Sequence, residues 1–284
     1  MTLLSLIVLA LMAVFSSTQR AFRASVTQTD VLEGSRAAVD LITTDLRTMT
    51  PSDSYSNWNY GAVNFLALDN DFLGVQSLYY QPLHQTLPGS ALLRTNVLHY
   101  FFLLGRQNNK WTAVGYAVNA TNKSPLYPLY RFYAETNISA SPYALFTAFT
   151  NAIFYSRWTN LSHVLDGVVH LTVRPFDAGG YWMTNSARVL ATGVNGQTNV
   201  HQNAWFSPVP YWGEYGCYFF SNAVPAAVEF QLGVLEDRVL QRAESLPNVN
   251  PVYAQSNYLS QQSGRVHLFR QRVTIPNVDP SAYQ

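Results

Sequence analysis

His84, His99, His163, His170, His201 and His267 are the side chains in this sequence best suited to proton transfer or metal ligation. None stands in an HxH or HExxH spacing, which would put two imidazoles on one face, so a metal centre has no local support. His163 and His170 are seven apart, but Gly167 breaks any helical phase between them. A lone strand histidine such as His170 reads as solvent-facing or as satisfied within the core. Carboxylates pair at Asp69/Asp71 and at Glu236/Asp237. Paired acids hydrolyse glycosides only when they flank a cleft, and adjacency in sequence does not establish one. Asp69-Asn70-Asp71 has the look of a cation-holding loop but lacks the full calcium-loop spacing. Cys217 is the single cysteine, so one chain can form neither an internal disulfide nor a Cys-based zinc site. With no Cys-His arrangement in view it reads as a buried, inert thiol. No GxSxG elbow, P-loop or GxGxxG is present. The residues therefore point to no catalytic, cofactor-binding or metal-ligating side chain, and the chain is not expected to be an enzyme.

One run invites a different chemistry. Trp205, Phe206, Tyr211, Trp212, Tyr215, Tyr218, Phe219 and Phe220 crowd into a short stretch with Pro208, Pro210, Gly213 and Gly216. Tyr and Trp anchor interfaces and stack on sugars. The same composition also describes an irregular segment packed on its own domain. Both readings stay open, with Trp205, Tyr211, Trp212 and Tyr215 as the candidate contact surface.

The chain of 284 residues is 48% apolar, 14% aromatic and only 12% charged, with a formal charge of +1. That suffices for a buried core and excludes a disordered tail, collagen and a multi-span membrane protein. So little charge, so evenly balanced, lacks the footprint of a nucleic-acid binder.

The N-terminus is unusual. Residues 2–15 carry no charge, enough for roughly 21 Å of helix against a hydrocarbon core of ~30 Å. A basic n-region and a small-x-small cleavage site are both missing, so a signal peptide fits poorly. From Thr2 to Thr50 there is no proline and one glycine, Gly34. Beyond Phe15 the chain turns amphipathic: Phe22, Val26, Leu32, Val39, Ile42, Leu46 and Met49 recur near helical spacing. Arg20, Arg23, Asp30, Arg36, Asp40, Asp45 and Arg47 fall opposite. The pattern predicts one continuous helix of about 48 residues, near 72 Å. Leu3, Leu4, Leu6, Ile7, Leu9, Leu11, Val14 and Phe15 would enter a membrane or filament. Val39, Ile42, Leu46 and Met49 would pack on the head, and Leu41 is expected to be buried with Leu46. Residues 51–284 form the predicted β-rich head, with a loop insertion near 184–222.

In the head, 97–105 and 111–118 predict a hairpin, 126–134 a strand and 143–155 a short helix. The clearest alternations are Val169/Leu171/Val173 and Val228/Phe230/Leu232/Val234. Glu236 to Ser245 reads as a helix, and 266–275 as a last strand.

Three stretches in this order resemble the minor pilins and pseudopilins, in particular the J-type pseudopilins of type II secretion and the W-type minor pilins. The first is the apolar helix running into FRASVTQTDVLEGSRAAVDLITTDLR, where Arg36, Ala37, Leu41, Asp45, Leu46 and Arg47 meet the group's pattern. The others are LDGVVHLTVRPFDAGGYW (165–182) and VPAAVEFQLGVLED (224–237). Members of that group usually open with a basic leader ending in glycine, then phenylalanine, with glutamate fifth. Here the first acid is Asp30. Either Met1 and Ser5 replace the phenylalanine and glutamate, or Met1 is an internal residue of a longer helix. The second register is preferred, and it makes the apolar segment about 24 residues, enough to span.

The resemblance implies an α+β fold, with a long N-terminal stalk helix packed on a mainly antiparallel head with long loops. It implies a structural subunit of a type II secretion or type IV pilus-like filament, acting by protein–protein packing. The partners would be other pilin or pseudopilin subunits and the inner membrane, with no nucleic acid, small-molecule substrate or cofactor. The chain would be single-pass, with its head in the periplasm or on a cell-surface filament. The alternative is a membrane-tethered or secreted binding protein, for instance for polysaccharide, using the aromatic insertion.

Overall fold

A computed structural model describes residues 2–53, 62–69, 82–119, 126–155, 157–184, 203–207, 213–246 and 251–279; the side chains of 2–6, 20–30, 158 and 251–253 are outside the description. Eleven strands follow the first helix α1 (Thr2–Arg47): β1 (Val63–Asp69), β2 (Leu83–Thr86), β3 (Leu93–Asn96), β4 (His99–Gln107), β5 (Lys110–Val118), β6 (Tyr127–Asn137), β7 (Ser162–Phe176), β8 (Ala204–Phe206), β9 (Cys217–Phe220), β10 (Ala227–Leu235) and β11 (Val266–Thr274). Short helices α2 (Tyr143–Phe154), α3 (Asp237–Glu244) and α4 (Pro251–Ser260) intervene. Nine strands form one sheet in the order β11-β10-β7-β6-β5-β4-β1-β9-β8, and β2 and β3 pair separately. Every ladder between the named strands is antiparallel.

The middle strands are buried on both faces, which is why β4 and β5 read as near-continuous apolar runs rather than alternating ones. Phe101, Leu103, Val114 and Tyr116 face one cluster, which holds Ala38, Ile42, Leu46 and Met49 of α1. Tyr100, Phe102, Leu104 and Ala113 face another, closed by Leu145, Phe149, Ala152 and Ile153 of α2. Gly115 lets α2 approach closely, because a Cβ there would lie 2.2 Å from the Phe149 ring. A third cluster joins Leu83 and Val169 to Val239, Ala243 and Leu259 beneath α3 and α4.

The sheet curls. Leu98, at the entry to β4, bridges Leu171 of β7 although two strands lie between them, and the Leu171 N–H donates to the Val97 carbonyl at 2.9 Å.

The fold class expected from sequence is corrected. The protein is mostly one large curled antiparallel sheet with short helices, not a stalk helix carrying a β head. The physical reason lies in the packing. Among the described side chains, those that meet the sheet run from Val31 and Ser35 onward, whereas residues 7–19 are all exposed. Absence of helix breakers permits a helix but supplies nothing that seats one on a sheet. Among the described residues no helix is long and apolar enough to cross a membrane, so the single-pass expectation finds no support there.

Gly115→Ala is expected to lower stability by about 1–3 kcal/mol through overpacking against Phe149. In urea unfolding, part of that loss should return in a Phe149→Leu background; equal losses in both backgrounds would show that the close approach is not the cause.

Candidate functional site

The end of α1 is where helix and sheet are joined. Ser35, Ala38, Ile42, Asp45, Leu46 and Met49 are buried, at spacings of three and four that form one stripe, and Val39 packs partly against it. Ile42, Leu46 and Met49 are fully enclosed. Two sequence expectations change here. Leu41 is 37% exposed, and Asp45, expected on the solvent face, is 7% exposed. Position 45 follows Ile42 by three, so it sits on the flank of the stripe rather than opposite to it.

The Asp45 carboxylate is held from three directions. The Tyr116 hydroxyl of β5 donates to its Oδ2, and Arg131 of β6 donates through Nε (2.8 Å) and a terminal nitrogen (2.9 Å). This is the planar two-pronged pairing that suits arginine. Burial, then the Asp45 charge, raises the Tyr116 phenol far above the usual tyrosine range, so it remains a donor. One turn on, the Thr50 N–H donates to the Leu104 carbonyl at 2.9 Å and Asn277 donates to the Met49 carbonyl at 3.0 Å.

A second buried polar group lies where the sheet closes on itself. The Val173 N–H donates to His99 Nδ1 at 3.1 Å, and the Val97 N–H donates to His170 Nδ1 at 3.2 Å. Each imidazole replaces a backbone carbonyl between β4 and β7, so each must be neutral with its proton on Nε2. Burial lowers His99 to about 3, with Arg174 adding to the shift against the Val173 hydrogen bond. Burial likewise lowers His170 to about 4, helped by His99, Arg94 and Arg174 and opposed by Glu214. Arg174 pairs with the buried Glu214 through Nε (2.8 Å) and lies over the Trp182 ring at 4.7 Å. Arg94 and Asn96 both donate to Gln85, whose amide reaches the Leu259 carbonyl of α4. Nothing in the sequence joined His99 to His170; only the curl brings them together.

Within the predicted insertion the structure places β8 and β9. Phe206 and Phe219 are buried there, edge to face at 5.8 Å. Half-buried Trp205 packs on Tyr218, and half-buried Tyr215 on Trp182. Tyr211, Trp212, His201 and Asp71 lie outside the described residues, as do the side chains of Leu3, Leu4 and Leu6. Cys217 is fully buried and its thiol is pushed up to about 12 by burial, which makes it a poor nucleophile. Asp69 is buried in β1. Glu236 pairs with Arg265 at 3.3 Å, and Asp237 accepts from Gln241 at 2.8 Å. Among the described residues no group of three or more His, Cys, Asp or Glu is placed to hold a metal ion.

The remaining candidate is the apolar stretch of α1. Ile7 and Val8 are each 49% exposed, Leu9 72%, Leu11 63%, Met12 71%, Val14 63% and Phe15 65%. No protein-family model matches the chain, and neither a curated protein nor a solved structure is significantly similar to it.

Removing the Asp45 carboxylate strands the Arg131 charge beneath the helix, so Asp45→Ala is expected to cost about 3–5 kcal/mol. Leu41→Asp, on the exposed side, should stay within about 0.5 kcal/mol of wild type. Chemical denaturation of both variants checks the ordering, and equal losses would contradict it.

The two histidines also set a pH dependence. Their folded pKa values lie below the ordinary 6.5, so the neutral form is favoured by folding. Their contribution is full above pH 6.5 and is lost as pH falls toward about 4, because the unfolded chain takes up protons first. Each histidine should add a slope near ~1.4 kcal/mol per pH unit in that window. The His99→Asn/His170→Asn double variant keeps an acceptor without the titration. Its urea midpoint should vary less between pH 6.5 and 4.5 than that of wild type; identical profiles would exclude these groups as the cause.

Proposed function

We propose that the protein is a non-catalytic assembly subunit of the pseudopilin or minor-pilin kind, working at the periplasmic side of the inner membrane or on a cell-surface filament. In this reading the apolar stretch of α1 supplies cohesion between subunits, and the β-sheet body supplies the surface that selects neighbours. The observation that carries it is the exposure of Ile7–Phe15 around the whole helix. Apolar surface left in water costs about 25 cal/mol per Å², and a contiguous patch of this kind marks an interaction site. Among the described residues no helix is long and apolar enough to cross a membrane. Neighbouring protein therefore accounts for its burial better than a bilayer crossing does. The aromatic insertion gives the polysaccharide-binding alternative less support, since Trp205 and Tyr215 are occupied by Tyr218 and Trp182.

Leu9→Asp/Met12→Asp changes two strongly exposed side chains, so thermal unfolding of the body should be unchanged. After detergent removal, sedimentation should show large assemblies for wild type and monomers for the variant. A monomeric wild type at tens of micromolar, or equal assembly by both, would overturn the proposal.

A further inference from the structure

The chain carries a concave apolar surface as well as a convex one. A groove of about 430 Å³ opens between α1, β7, β10 and α3. Its walls are Val31, Leu165, Val234, Leu235 and Leu240. Val31, Leu165 and Leu240 are only half buried, so the groove is lined by apolar side chains that still meet water. Gly167 of β7 sits beside Leu240 at φ 71°, and a Cβ there would lie 3.3 Å from that side chain. The rim is acidic, formed by Asp237 at the start of α3 and by Asp166, which His163 meets at 2.8 Å.

We propose that this groove is the receptor for the apolar α1 stretch of a second copy of the chain, an inference that rests on the assembly reading and names its contact. The two surfaces match in chemistry. Residues 7–19 contain no charge that would have to be desolvated in an aliphatic groove. Ile7, Leu11 and Val14, or Val8, Met12 and Phe15, fall at i, i+4 and i+7, the spacing with which a helix presents anchors to a groove. The first charges after that stretch are cationic, Arg20 and Arg23, and the groove's rim carries Asp166 and Asp237. The contact is heterologous, because donor and receptor are different parts of the chain. Each copy is left with one free donor and one free receptor, so the association need not close and extends as a filament.

The test uses two full-length variants carrying different tags, Leu11→Cys and Leu240→Cys, mixed in detergent, brought to low detergent and oxidised. The native Cys217 is fully buried and does not compete. The expected result is a disulfide between the two differently tagged copies, in excess over disulfides within either kind. Asp237→Cys on the rim serves as a second receptor variant should Leu240→Cys fold poorly, with the same expectation. Predominant pairing of Leu11→Cys copies with one another would mean that the helices meet each other. The groove would then be rejected while the assembly reading stood. No crosslink in a sample that sediments as monomer would overturn both.

Discussion

Asp45 places a charge under a helix, against a sheet whose two faces are otherwise closed by apolar side chains, and that constraint organises much of the rest. A carboxylate at 7% exposure is tolerable only if its lone pairs are filled. Tyr116 and Arg131 fill them from adjacent strands, β5 and β6. Apolar packing by Ile42, Leu46 and Met49 would accept several helix rotations, whereas a two-pronged guanidinium contact accepts few. The ion pair therefore contributes less to net stability than to fixing where α1 sits. Because Met49 and Thr50 are then stitched to Gly105, Leu104 and Asn277, the route of the chain away from the helix is fixed as well.

A sheet covered by α1 on one side and α2 on the other also closes on itself. The curl brings the entry to β4 back to β7, where the Val97 carbonyl accepts from Leu171 and the Val97 and Val173 N–H groups need further acceptors. His99 and His170 provide them through Nδ1. Burial keeps both neutral, which is the state that can accept, so the same enclosure that makes the site apolar maintains its hydrogen bonds.

What the sequence made legible follows from how local each signal is. The hairpin of β4 and β5, the helix α2 with Leu145, Phe149 and Ile153, and the strands β7, β10 and β11 are written in short-range pattern, and the structure places elements there. Helix α3 likewise occupies the segment before Pro247. Ile42, Leu46 and Met49 stand in the stripe where spacing put them. What failed were inferences needing a partner distant in sequence. Asp45 looked like a solvated charge because Arg131 is 86 residues away. His99 and His170 looked unrelated for the same reason. The strands β8 and β9 are three and four residues long, too short to show a period among glycines and prolines. The stalk came from weighting an unbroken helical pattern at the N-terminus over the strands, whereas the large curled sheet dominates the fold.

What the sheet leaves available for pairing follows from its two edges. One edge strand, β8, has only three residues, too few for extended pairing with another chain. The opposite edge, β11, is long, but Arg270 and Arg272 reach across it to Glu229 of β10, at 2.9 and 3.5 Å. Arg272 also lies 3.6 Å from the centre of the Phe176 ring of β7. A strand added there would bring its side chains against two fixed cations, which is how natural edges discourage pairing. Both edges of the nine-stranded sheet are thus guarded, one by shortness and one by charge. Among the described residues the longest run of exposed apolar side chains is that of α1, from Ile7 to Phe15, and such a helix surface is buried by apolar contact rather than by backbone ladders. Growth of the nine-stranded sheet by added strands is therefore disfavoured by this architecture.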